Sequence, residues 1–153
     1  MSWQKNLVDD AAGLRSILSE TRRIAVLGIK TEAQLAQPAF FVPEYLQGAG
    51  YEIVPVPVYY PDVTTILGEP VYRSLAEVPG EVDMVLVFRR SQDVAQHQED
   101  LLRLRPAVVW MQTGIRNETV ARALAEEGIR VVQDRCAMVE HRRLGVGRGG
   151  DGA

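Results

Sequence analysis

The sequence predicts a doubly wound α/β domain, a parallel sheet with helices on both faces. Three observations lead there. Short apolar runs alternate with amphipathic stretches along the chain, the pattern of repeated strand–helix units. The runs are nearly continuous rather than alternating, as in VDMVLVF at 82–88, which suits strands covered on both sides. And the segment RRIAVLGIKTEAQLAQPAFFVPEYLQGAG, followed at once by YEIVPVPV, reads as one complete βαβ unit. Right-handed crossovers then restrict the topology. The simplest strand order, counted along the chain, is 3-2-1-4-5-6.

The elements follow in order. Leu7, Ala11, Leu14, Ile17 and Leu18 recur at helical spacing and predict an amphipathic helix over 6–20. The first strand spans 23–28 and ends at Gly28, which lets the backbone turn with no Cβ in the way. A polar loop leads to a helix over 38–48, with Pro38 at its start and Gly48-Ala49-Gly50 at its end. Pro43 inside it forbids one backbone bond and predicts a short first turn or a kink. The second strand spans 52–58, and Pro55 and Pro57 predict that it pairs well only at its start. Residues 59–67 read as a loop. Val71-Tyr72 reads as a very short edge strand, the third, and 74–78 as one helical turn capped by Ser74. The strand 82–88 is followed by a helix over 91–103 with Ser91 as cap. Then come a strand at 107–111, a helix from its cap Asn117 to Glu127, ended by Gly128, a strand at 129–133 and a helical piece at 137–143. Residues 1–144 read as one Rossmann-like domain. Residues 145–153 are Gly-rich without apolar anchors and read as a disordered tail.

The bulk numbers narrow the function classes. At 153 residues the chain buries a sizeable core without a metal or disulfide staple. A net charge of −3 argues against nucleic acid as a partner. No apolar stretch reaches the ~18 residues of a membrane span, and the charged first 20 residues lack a signal-peptide core. One cysteine, Cys136, forms no intramolecular disulfide and fits a reducing compartment. The expectation is a cytoplasmic protein without a membrane or nucleic-acid partner.

In such sheets ligands bind beyond the carboxyl ends of the strands, where the strand order reverses. That selects the turns 28–37, 88–91 and 112–115, with 55–59 beside them. The helix after Gly28 offers unpaired N–H groups and the positive end of its dipole to an anion. Lys30 adds a cation to that turn. Arg89 and Arg90 follow a buried strand, where adjacent side chains diverge, so one faces a ligand and the other pairs with a carboxylate. Gln112 and Asp134 stand at strand ends and suit a thioester carbonyl or a ribose, or simple loop capping, which is favoured for Asp134. His97 and His141 lie far apart with no metal-ligand spacing. His141, beside Glu140 in EHRR, reads as a surface ion pair. No nucleophile–base pair or metal cluster is visible, so no catalytic residue is assigned.

RIAVLGI, GYEIVPVPVYYP, LGEPVYRSLAEVP, VDMVLVFRRS, VVWMQTGI and VVQDRCAMVEHRRL together resemble the small bacterial CoA-binding proteins. That family is similar to the N-terminal, CoA-binding domain of the succinyl-CoA synthetase α subunit. The resemblance spans about residues 10–144, and its most specific blocks are FRR and the W-x-Q-x-G-I…D-R-C series. The full G-x-G-x-x-G is absent. The resemblance implies a stand-alone protein that binds CoA or acyl-CoA and has no catalytic centre of its own. It implies that Gly28, Ile29, Lys30 and Thr31, with Gln37 and Pro38, meet the pyrophosphate. Val56 and Pro57 would flank the adenine or ribose. Phe88, Arg89 and Arg90 would cover the other side, and Gln112, Gly114 and Ile115 would line the pantetheine path. The chain departs from the family at three places. Members commonly have Ser at the place of Lys30, Arg-Pro-Ser at Gln37-Pro38-Ala39, and Asn-Pro followed by Lys or Arg at Pro57-Val58-Tyr59.

Two other classes stay open. A nicotinamide-dinucleotide oxidoreductase would use the same switch point, but strand 2 ends without a carboxylate for a ribose, Asp62 being the nearest. A CoA-linked redox or regulatory protein would use Cys136, whose thiol needs a lowered pKa to react. Against that stands the common role of a lone cysteine as a small buried hydrophobe.

Overall fold

In a computed structural model that describes residues 2–146, five parallel strands form the centre. They are β1 (Arg23–Leu27), β2 (Glu52–Val56), β5 (Met84–Val87), β6 (Val108–Met111) and β7 (Arg130–Val132), in the order β2-β1-β5-β6-β7. Leu27 is in register with both Val56 and Val87, and Val87 with Met111, so the carboxyl ends share one edge. The sheet alternates its burial between two cores. Ile24 and Val26 face α1 (Ala11–Glu20), α2 (Pro38–Gly48) and α5 (Ala137–Arg143). Ala25 and Leu27 face α3 (Gln98–Leu104) and α4 (Glu118–Glu126). Covering both faces is what makes the strands uniformly apolar.

The expected order lacks its outer member. Val71 and Tyr72 form no ladder, and Tyr72 N–H donates once to the Pro55 carbonyl (2.9 Å). A two-stranded hairpin stands nearby instead, β3 (Thr65–Ile66) with β4 (Glu69–Pro70). Its turn residues, Leu67 and Gly68, both have positive φ, 55° and 78°. That is the backbone twist favoured in two-residue hairpins, but leucine is not its usual signal. The Glu32 carboxylate accepts the Leu67 N–H (2.7 Å), and the Gln47 amide donates to the Leu67 carbonyl (2.9 Å). Tertiary partners hold what local sequence does not announce.

β2 also pairs better than its prolines suggest. All five residues are in register with β1, including Pro55 opposite Val26. Pro55 turns its nitrogen and carbonyl to the free edge, so β1 loses no bond. α2 runs through Pro43. The Ala39 carbonyl, which a Pro43 N–H would have bonded, accepts the Lys30 N–H instead (3.0 Å). The proline thus releases an acceptor that anchors the loop after β1.

Two caps differ from expectation. Ser74 makes no side-chain cap bond, and residues 91–97 form a 3₁₀ segment before α3. Ser91 is not its cap, because its hydroxyl is used elsewhere. Asn117 does cap α4, accepting from Val120 N–H (3.0 Å). His141 is not a surface residue. It is 5% exposed, its Nδ1 is 2.8 Å from the Tyr45 hydroxyl, and Tyr51 packs edge-on against it. Burial pushes the Tyr51 hydroxyl's pKa above its ordinary value. Glu140, also buried, pairs with Arg135 and Arg143. Gly145 and Val146 continue the chain with bonds to Arg142 and His141, and the rest of the expected tail lies outside the described residues. No helix among the described residues is long and apolar enough to cross a membrane.

Candidate functional site

Gly28 does two things at the end of β1. Its φ of +87° is one that glycine adopts readily. A Cβ there would also lie 2.3 Å from the Phe88 carbonyl oxygen, so the turn and the end of β5 cross in contact. Gly28 N–H continues the ladder to Val56 (2.8 Å), and Phe88 N–H to Leu27 (2.8 Å). The loop beyond is internally bonded. Thr31 is buried and forms a capping box with Gln34, and Lys30 Nζ donates to Gln37 Oε1 (2.7 Å). The Ile29 side chain is in the core. Among the described residues no acceptor takes the N–H of Ile29 or of Ala39. These are the amides left at the mouth of α2.

Beside that mouth opens a cavity of about 800 Å³, within the size range of small-molecule sites. Four elements bound it. The start of α2 gives Gln37, Pro38, Phe41 and Val42, and the turn after β5 gives Phe88, Arg89 and Arg90. The turn after β6 gives Gln112, Gly114 and Ile115, and the start of α5 gives Cys136, Met138 and Val139. Most of this wall is apolar. Eight of the residues expected from the resemblance are therefore brought together: Gln37, Pro38, Phe88, Arg89, Arg90, Gln112, Gly114 and Ile115.

Six are not on this wall. Gly28, Ile29, Lys30 and Thr31 lie behind it, as the bonded loop just described. Val56 is 1% exposed and belongs to the α3–α4 core. Pro57 lines a different hollow, with Tyr59, Tyr60 and Arg73. Val56 and Pro57, expected to flank the same ligand that Phe88 covers, thus do not share its cavity, because the chain turns away after β2.

The two arginines do diverge. The Arg90 side chain is 73% exposed and binds Asp93 (2.7 Å). That carboxylate holds the Arg90 guanidinium's pKa above its usual range, and is itself held low by Arg90. The Arg89 side chain is only 10% exposed. Its Nε donates to His97 Nε2 (3.2 Å), and its NH2 group is 4.0 Å from Asp93. Burial first, and the nearby Arg89 charge second, push the His97 pKa down, so its ring is neutral and can accept. Arg89 is a braced cation at the cavity wall.

The turns after β5 and β6 are tied to each other. Ser91 Oγ donates to the Gly114 carbonyl (3.4 Å) and accepts from Arg116 N–H (3.0 Å). Asp134, at φ +59°, accepts the Gly114 N–H (2.6 Å) and is the loop cap expected of it. Trp110 is core, with its indole N–H on the Arg135 carbonyl (2.8 Å). Among the described residues no cluster of His, Cys, Asp and Glu could hold a metal ion.

Sequence reasoning missed Phe41, Val42, Met138 and Val139. Each reads as an ordinary helix position. Only the packing of α5 beside α2 turns them toward a common space.

A doubly wound sheet with a cavity at the carboxyl ends of its strands defines a Rossmann-like class of α/β domain. Within that class the chain belongs to the CoA-binding domain family, whose profile, described as a CoA binding domain, matches residues 22–142. It is 36% identical over 130 residues to the uncharacterized protein YneT of Bacillus subtilis (strain 168), covering 85% of this chain and 93% of that one. It is 40% identical to the Thermus thermophilus protein solved as cell-free ID.343, with a TM-score of 0.81, covering 89% of this chain and 99% of that one. A Ca. Korarchaeum cryptofilum dinucleotide forming acetyl-coenzyme A synthetase 1, in its apo form, shares the fold alone. There the identity is 18% and the TM-score 0.60, over 74% of this chain and 26% of that one.

Proposed function

We propose that this chain binds CoA or acyl-CoA as a stand-alone module with no catalytic centre of its own. The observation that carries the reading is the cavity of about 800 Å³ at the switch point, between the mouth of α2 and the braced Arg89. Membership of a CoA-binding domain family supports CoA over other nucleotides. The free amide of Ala39 at the start of α2, with Arg89, suits phosphate oxygens. The apolar wall suits the pantetheine arm. β2 ends at Val56, followed by Pro57, with no carboxylate to hold a ribose, which disfavours a nicotinamide dinucleotide.

Isothermal titration with CoA, acetyl-CoA, NAD and ATP tests it. CoA and acetyl-CoA are expected to bind at micromolar affinity, roughly tenfold or more tighter than NAD or ATP, a gap of about 1.4 kcal/mol. No heat from CoA, with micromolar binding of NAD, overturns it in favour of the oxidoreductase reading.

One observation supports a second reading. The half-buried Cys136 shares the cavity wall. In the redox reading its thiol and that of CoA join as a mixed disulfide, passing two protons and two electrons to an added oxidant such as diamide. Intact mass should rise by one CoA less two hydrogens, and Cys136→Ser should abolish the gain. An unchanged mass removes this reading and leaves binding intact.

A further inference from the structure

Gln112 is a buried polar group whose side chain uses its acceptor on the protein and leaves its donors to the cavity. It sits just past β6, is 3% exposed, and lines the cavity. Its main chain is fixed on both sides. Its N–H donates to the Val87 carbonyl (3.3 Å), and its carbonyl accepts from Ile115 N–H (2.9 Å). Its side-chain oxygen Oε1 accepts the Ala137 N–H at the start of α5 (2.8 Å). Only an oxygen can accept there, so the assignment of O and N in this amide is fixed by the bond itself. The Nε2 amine therefore points away from Ala137. Among the described residues no acceptor takes its two N–H donors. No buried side-chain nitrogen or oxygen among the described residues lacks a partner, so this amine opens to the cavity, and a ligand that dries the cavity must offer it an oxygen.

The wall around that donor is apolar, with Phe41, Val42 and Met138, and with Val139 still 47% exposed. A free thiol end supplies no strong acceptor and leaves this wall wet. An acyl thioester supplies both missing parts, a carbonyl oxygen and a short apolar chain.

We infer that Gln112 Nε2 donates to the thioester carbonyl of a bound acyl-CoA whose aliphatic chain lies against Phe41, Val42, Met138 and Val139. The inference rests on the CoA reading above and narrows it from CoA to its acyl thioesters. Gln112 is then a specificity residue, and Ala137 N–H is what aims it.

The test compares three ligands: CoA, butyryl-CoA, and S-butyl-CoA, a thioether that keeps the chain and lacks the carbonyl. The wild-type protein should bind butyryl-CoA about fivefold tighter than S-butyl-CoA, the worth of one neutral hydrogen bond in a dry site. It should bind S-butyl-CoA tighter than CoA, because the chain covers apolar wall. Gln112→Met removes the donor, and the thioester and thioether should then bind within about twofold of each other. Gln112→Glu keeps an oxygen for Ala137 N–H and so keeps α5 seated. It replaces the donor by an oxygen that repels the carbonyl, and the preference should vanish or invert. If the variants weaken all three ligands equally, Gln112 holds an amide of the pantetheine arm and the inference is overturned. It is equally overturned if the wild type does not distinguish thioester from thioether. If the wild type binds none of the three, the CoA reading itself fails and takes this inference with it.

Discussion

The two sides of the switch point are built differently. On the β1 side, the turn from Gly28 to Thr31 is closed on itself. Gly28 bonds to β2, Lys30 N–H bonds to the carbonyl that Pro43 releases, and Thr31 bonds to Gln34. On the β5–β6 side, Arg89 is half-buried and Gln112 buried, each braced by another element and lining the cavity. The contrast teaches that the glycine turn sets the geometry while the opposite strand ends hold the polar chemistry. A turn bonded to its neighbours through Gly28, Lys30 and Thr31 is a rigid frame. A braced side chain with donors to spare is a candidate contact, which the variants below test.

The largest expected effect breaks the frame. Gly28→Ala forces a Cβ against the Phe88 carbonyl at a left-handed φ. Strain and overpacking together should cost about 2–4 kcal/mol, read as a lower urea midpoint with an unchanged m-value. A stability within experimental error of the wild type would mean that the two strand ends do not meet as described.

Next is the contact side. Arg89→Ala should weaken CoA binding roughly tenfold, the loss of one charge-assisted hydrogen bond of about 1.5 kcal/mol. Titration calorimetry reads it directly, and an unchanged Kd would move the phosphate contacts away from β5.

His97 gives a smaller effect with a defined sign. Its pKa in the folded chain is below the ordinary value, by burial and by Arg89, with Asp100 and Asp93 opposing. The unfolded chain therefore takes up the proton first as pH falls. The stability this neutral ring contributes is whole above the ordinary histidine value of about 6.5 and is lost as pH drops from there toward the depressed one. The melting temperature should fall between pH 7.5 and 5.5, and His97→Gln, which keeps an acceptor for Arg89, should reduce that fall. An equal fall in both proteins would assign it to other groups.

Lys30→Met is the smallest. The ammonium is tied to Gln37, so CoA affinity should drop by less than about threefold. A larger loss than that of Arg89→Ala would reverse the comparison between the two sides.

Much of the site was legible for local reasons. Gly28, Pro38 and the 88–90 turn are punctuation, readable from φ freedom, ring closure and the end of an apolar run. Asn117 and Asp134 were readable as caps. The hairpin at 65–70 was not, because Leu67 takes its left-handed φ with support from Glu32 and Gln47 rather than from its own preference. His141 was misread as surface because Tyr45 and Tyr51 come to it from elsewhere in the fold.

The amino-acid order by itself determined the parallel sheet, its two covered faces and the edge where the cavity opens, since apolar periodicity and turn chemistry act between near neighbours. Only the tertiary structure decided which side chains face the cavity. That choice depends on α5 packing beside α2 and on Ala137 meeting Gln112, contacts between residues 25 positions apart or more, which no local pattern encodes.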